Sequence, residues 1–186
     1  MGWDILAEQL RPLGRLERAD PVGVVGGSDF PGLDAVNRGS EDEFITGLAD
    51  RIREFGAPLF FGPWRGMNRS GTPWGGPQNN TDDDTDGPQK YRQAWRRMHR
   101  IFNKRGAMNA IWVWSPGCKV WPELDYNRWS NYYPGDAYVD WVACDAYNWG
   151  TTTGGGWPPS RACSAAARRS TRTIHTSVHG IGDWLV

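Results

Sequence analysis

Three short, largely apolar runs, at residues 57–61, 108–114 and 138–144, constrain this chain more than any other feature. Each is too short for a helix with its own buried stripe, and none alternates apolar with polar as a strand wet on one face would. Such runs suit strands covered on both faces, as in parallel sheets. Two helical patterns lie between and before them. Phe44, Ile45, Leu48, Ile52 and Phe55 recur at helical spacing and end at Gly56. Ser40, with Glu43 three residues on, fits a capping box in which the serine oxygen accepts from first-turn amides. Tyr91, Trp95, Met98 and Phe102 form a second stripe, with Arg92, Arg96, Arg97 and Arg100 as its wet face. Pro88 suits the first position of that helix and Gly106 its end. Residues 62–87 are rich in Gly and Pro and predict an irregular loop. The order helix, strand, loop, helix, strand predicts parallel βαβ units, an α/β architecture.

Composition narrows the function. Lys and Arg number 21 and so do Asp and Glu, so the formal charge is zero. Nothing electrostatic then favours nucleic acid or an anionic membrane as partner. No run approaches the roughly 20 apolar residues that span a bilayer. The first residues lack the basic and apolar regions of a secretory signal, so the compartment stays open. Cys118, Cys144 and Cys163 are odd in number and scattered, which speaks against a disulfide framework or a structural zinc. Twelve Trp is a high count, and it suits a cleft that stacks flat ligands, sugar rings among them. Towards the ends the pattern weakens. Residues 3–16 fit a helix and 22–25 a short buried strand. Beyond Asn148 the periodicity stops, so residues 1–150 are expected to form the domain and 151–186 an aberrant, disordered tail. From 161 to 173 that tail has the Arg, Ala, Ser and Thr mixture of an out-of-frame reading.

Two segments carry a resemblance. The first runs through Arg65-Gly66-Met67-Asn68 to Pro73-Trp74-Gly75. The second contains Trp112-Val113-Trp114-Ser115-Pro116, Tyr132-Tyr133-Pro134-Gly135-Asp136, Tyr138-Val139-Asp140-Trp141 and Asp145-Ala146-Tyr147-Asn148. Together they resemble glycoside hydrolase family 26, the β-mannanase type, over about residues 36–150. The resemblance implies a (β/α)₈ barrel, of which about strands three to six are present, with the site at the C-terminal strand ends. It implies retaining hydrolysis of β-1,4-mannan or a related β-glucan, with a polysaccharide partner and no cofactor. Retention needs two carboxyl groups about 5–5.5 Å apart, one a proton donor and one a nucleophile. The family's acid stands in a His-Glu-Met-Asn motif, and its position here is Gly66, preceded by Arg65 where the His is expected. The nucleophile belongs to a later strand, yet the last glutamate of this sequence is Glu123. No catalytic residue is therefore assigned, and the chain is expected to be inactive. Alternatives are a non-catalytic carbohydrate-binding module and a non-functional gene fragment. Asn68, Trp74, Trp114 and Tyr147 are the expected substrate-binding residues, each weighed against a packing role in the core.

Other signals point elsewhere only weakly. Asp82 to Gly87 begins like a calcium loop, but its twelfth position is Gln93, which offers no bidentate carboxylate. His175 and His179 are four apart without a third ligand, so no metal site is expected. Asn68 and Asn79 begin glycosylation sequons. Asp136 and Asp140 are expected to serve a turn or an ion pair rather than acid–base chemistry.

Overall fold

The computed structural model describes residues 30–81 and 85–143. The elements run α1 (Leu33–Arg38), α2 (Asp42–Phe55), β1 (Leu59–Phe61), α3 (Gly76–Asn79), α4 (Gly87–Arg105), β2 (Ala110–Trp114) and β3 (Trp141–Val142). Three 3₁₀ turns, Asp125–Asn127, Trp129–Tyr132 and Asp136–Tyr138, fill the connection from β2 to β3. The three strands form one sheet in the order β1-β2-β3, and both pairings are parallel. Leu59 pairs with Ala110, Phe61 with Trp112, and Val113 with Trp141. The parallel βαβ reading therefore holds.

Strand side chains alternate between faces. On one face Phe61, Trp112 and Trp114 are wholly or almost wholly enclosed. Trp112 is the hub of an aromatic core, with the rings of Phe61, Phe102 and Trp95 centred 4.9, 5.0 and 5.4 Å away. Phe102 and Trp95 come from the apolar stripe of α4, so that stripe seats the helix across the sheet. On the other face Phe60, Ile111 and Trp141 are half-buried, and the Phe60 and Trp141 rings meet edge to face at 5.9 Å.

The expected wet face of α4 is largely engaged. Arg97 grips Asp42 with two bonds of 2.8 and 2.6 Å, joining α4 to α2. Arg105 holds Asp50 in the same bidentate manner. Arg92 donates to the Asn131 carbonyl, and Arg96 Nε donates to Pro134 O at 2.8 Å. Planar forks of this kind order both partners at once.

Several local expectations are corrected. Ser40 does not cap α2. Its hydroxyl donates back to Ala35 O at 3.0 Å, closing α1, and the N-cap of α2 is Glu41 without a side-chain bond. Gly39 explains this: at φ 83° it ends α1 in the left-handed region, so Ser40 faces the preceding turn. Gly87 takes the first position of α4 and Pro88 the second. The loop 62–87 contains the short helix α3. The third strand is shorter than its apolar run, because Tyr138 belongs to a 3₁₀ turn. Cys118 is disulfide-bonded, although the odd and scattered cysteines spoke against a disulfide framework. The expected helix at 3–16, the strand at 22–25, the acidic loop at 82–84, Tyr147, His175 and His179 lie outside the described residues.

Candidate functional site

The loops that follow the C-terminal ends of β1 and β2 come together, and four of the residues singled out above sit in or beside them. The chain leaves β1 through Trp64, whose backbone is left-handed at φ 55°, a conformation rare for an aromatic residue. Its ring is fully buried, and its indole N–H donates to Pro31 O at 3.2 Å. Gly66 follows, also left-handed, at φ 66°. Its amide donates 2.8 Å to Ser115 O, tying the end of β1 to the end of β2. Gly66, where the sequence led us to expect the position of the acid, is thus a buried backbone tether with no side chain.

Asn68 is fully buried, and both ends of its amide are used. Its Nδ2 donates to Gly117 O at 2.9 Å and its Oδ1 accepts from Gly117 N at 2.7 Å. This reciprocal pair extends the sheet's pattern beyond the strand ends with a side chain in place of backbone. The Asn68 carbonyl in turn accepts from Trp121 N at 3.1 Å and from Asn127 Nδ2 at 3.0 Å. Ser70 N donates to Trp121 O at 2.8 Å, within a parallel bridge between Arg69 and Trp121. Asn68 is therefore the knot that joins the two loops.

Asn127 was not among the expected residues, and the structure makes it central. It is buried in a 3₁₀ turn, donates to Pro122 O at 2.9 Å, and accepts the Tyr132 hydroxyl at 2.5 Å. Burial, with a smaller contribution from Tyr126, raises the Tyr132 phenol above its ordinary value, so it stays protonated and able to donate. Gly76 makes room for it: a Cβ there would lie 1.8 Å from the Tyr132 oxygen. No periodicity marks a buried asparagine in an irregular turn, so only the contacts reveal it.

Trp74 is 7% exposed, and its indole N–H donates 2.7 Å to Arg65 O. Trp114 is fully enclosed between the rings of Trp129 and Tyr133, at 6.2 and 5.1 Å. Among the described residues its Nε1 has no acceptor in hydrogen-bonding geometry, although the side chain lies close enough to temper the Tyr91 phenol, which burial pushes well above its usual value. Trp114 belongs to the core, and its ring presents no face to a ligand. Asp140 extends the ladder rather than an ion pair: its carboxylate accepts from Trp112 N at 2.9 Å and its own amide donates to Trp112 O at 3.0 Å. Asp136 accepts the Tyr133 hydroxyl at 2.7 Å. The sequon asparagines are engaged too, since Asn79 Nδ2 donates to Pro73 O and Gly75 O.

The chain is similar to known proteins in sequence and in fold. The family model described as Glycosyl hydrolase family 26 matches residues 39–158, more than half of the chain. Endoglucanase H of Acetivibrio thermocellus is 32% identical over 121 residues, which are 63% of this chain and 12% of that protein. Mannan endo-1,4-beta-mannosidase A and B of Caldalkalibacillus mannanilyticus is 35% identical over 108 residues, 58% of this chain and 20% of that protein. The chain thus spans a minor part of the length of these relatives. The crystal structure of a β-mannanase from a symbiotic protist of the termite Reticulitermes speratus superimposes with a TM-score of 0.56. It covers 83% of this chain and 46% of that one at 19% identity, a likeness of fold alone.

Proposed function

Because the chain belongs to glycosyl hydrolase family 26, we propose that it is a domain descended from β-1,4-mannan hydrolases that has kept the scaffold and lost the chemistry. β1, β2 and β3 correspond in this reading to strands four, five and six of an eight-stranded barrel. The carrying observation is Gly66. A retaining enzyme protonates the leaving oxygen from a carboxylic acid at this position. Glycine has no proton to give. Within this sequence no glutamate follows Glu123 to serve as the second carboxylate. A β-mannan-like polysaccharide remains the partner implied by descent.

The test is reducing-sugar release from mannan by the purified chain, with the Gly66→Glu and Arg65→His double substitution beside it. Both are expected to stay at background, because restoring one carboxylate leaves attack on the anomeric carbon without its nucleophile. Turnover by the unmodified chain would sink the proposal and would mean that another carboxylate had been recruited.

A further inference from the structure

Most of the tryptophans described so far face inwards. Trp64, Trp95 and Trp114 are wholly buried, and Trp112 and Trp74 nearly so. Trp121 is different. It is 60% exposed, and Leu124, three residues on, is 53% exposed. An indole left in water forgoes on the order of 2 kcal/mol of burial. In this chain that exposure is combined with a backbone held fast.

Trp121 N donates to Asn68 O at 3.1 Å, and Ser70 N donates to Trp121 O at 2.8 Å. Asn127 Nδ2 fixes the next carbonyl, that of Pro122, at 2.9 Å, and Leu124 N donates to the same carbonyl at 2.9 Å. The segment 121–124 is therefore a braced apolar strip with the Glu123 side chain exposed within it. It lies in the loop that follows the C-terminal end of β2, bonded directly to the loop that follows β1. Ligands of parallel barrels are met at that end of the sheet.

We infer that Trp121 is a stacking platform for a pyranose ring at the rim of the domain, with Leu124 extending the apolar strip and Glu123 accepting from sugar hydroxyls. The inference rests on the polysaccharide partner proposed above, and adds the residue that holds it. An indole face matches the C–H face of a sugar, and a polar group alongside fixes orientation. Because the backbone is pinned before the ligand arrives, little ordering entropy is lost on binding. Such a platform needs neither the acid at Gly66 nor the amide of Asn68. It is the kind of contact that survives the loss of catalysis.

Calorimetric titration of the full chain with mannohexaose, and with cellohexaose in parallel, tests this. Trp121→Ala is expected to raise Kd about tenfold, equivalent to about 1.4 kcal/mol, with Trp121→Phe between it and the parent. Met108→Ala is the control, since Met108 is 75% exposed beyond the opposite end of β2 and its loss should leave Kd unchanged. Circular dichroism of each variant checks that the fold is intact. Binding by the parent that Trp121→Ala leaves unaltered would overturn the platform and leave the polysaccharide partner standing. No binding of either hexasaccharide by the parent at millimolar concentration would overturn both.

Discussion

Asn68, expected from the sequence to line a sugar site, has its side chain committed to structure. Its amide makes two bonds to the Gly117 backbone, both buried. Asn68→Ala should strip both partners at once and leave a buried N–H and C=O unsatisfied. The expected loss is about 2–4 kcal/mol, read from urea unfolding, since each group left unpaired costs roughly 1–3 kcal/mol. Gly66 gives a second prediction. Its φ of 66° lies where a Cβ is strained, so Gly66→Glu alone should destabilise by about 1–2 kcal/mol. A shift in urea midpoint no larger than that of a surface Gly→Ala change would argue against it. The Gly66→Glu substitution offered as a test of the proposed function thus has a folding cost of its own.

At the scale of elements, α4 and the sheet meet through aromatic rings, and Trp112 touches Phe61, Trp95, Phe102 and His99. Trp112→Ala should open a cavity costing about 3–5 kcal/mol, enough to unfold a marginal domain, seen as loss of near-ultraviolet dichroism. His99 adds a pH dependence. Burial between Trp112 and Tyr138 lowers its pKa below the ordinary value of 6.5, and the Asp140 carboxylate opposes the shift. A histidine whose folded pKa is lowered binds protons more readily when unfolded. Its contribution is then fully present above pH 6.5 and is lost as pH falls through the lower folded value. Melting temperature should fall on acidification in that window, and His99→Gln should flatten the fall. The helix patterns were legible because stripes at helical spacing and closing glycines are local signals. The Ser40 cap was not, because a serine can serve either neighbouring helix, and the left-handed Gly39 between them turned it back towards α1.

For the whole molecule, the sheet has one face sealed by α4 and another on which Phe60, Ile111 and Trp141 are half-buried. A parallel strand is ordinarily covered on both faces, and exposed apolar faces and strand edges invite association. The purified chain should therefore self-associate at roughly micromolar to millimolar concentration, where weak apolar contacts form. Sedimentation velocity across a dilution series measures it, and a single monomeric species throughout would contradict it.

What the sequence determined by itself was local and serial. Short apolar runs between amphipathic stripes point to buried parallel strands, and the order of motifs from Arg65 to Asp145 carries the family. What only the tertiary structure decided was which side chains are free. Trp114 and Trp121 look alike in a list of tryptophans, yet one is wholly enclosed and the other is 60% exposed. Burial depends on partners brought together by the fold, here the rings of Trp129 and Tyr133 around Trp114. Asn127, Gly76 and Tyr132 meet for the same reason. Their contacts join irregular loops, and irregular backbone has no period through which a sequence could announce them.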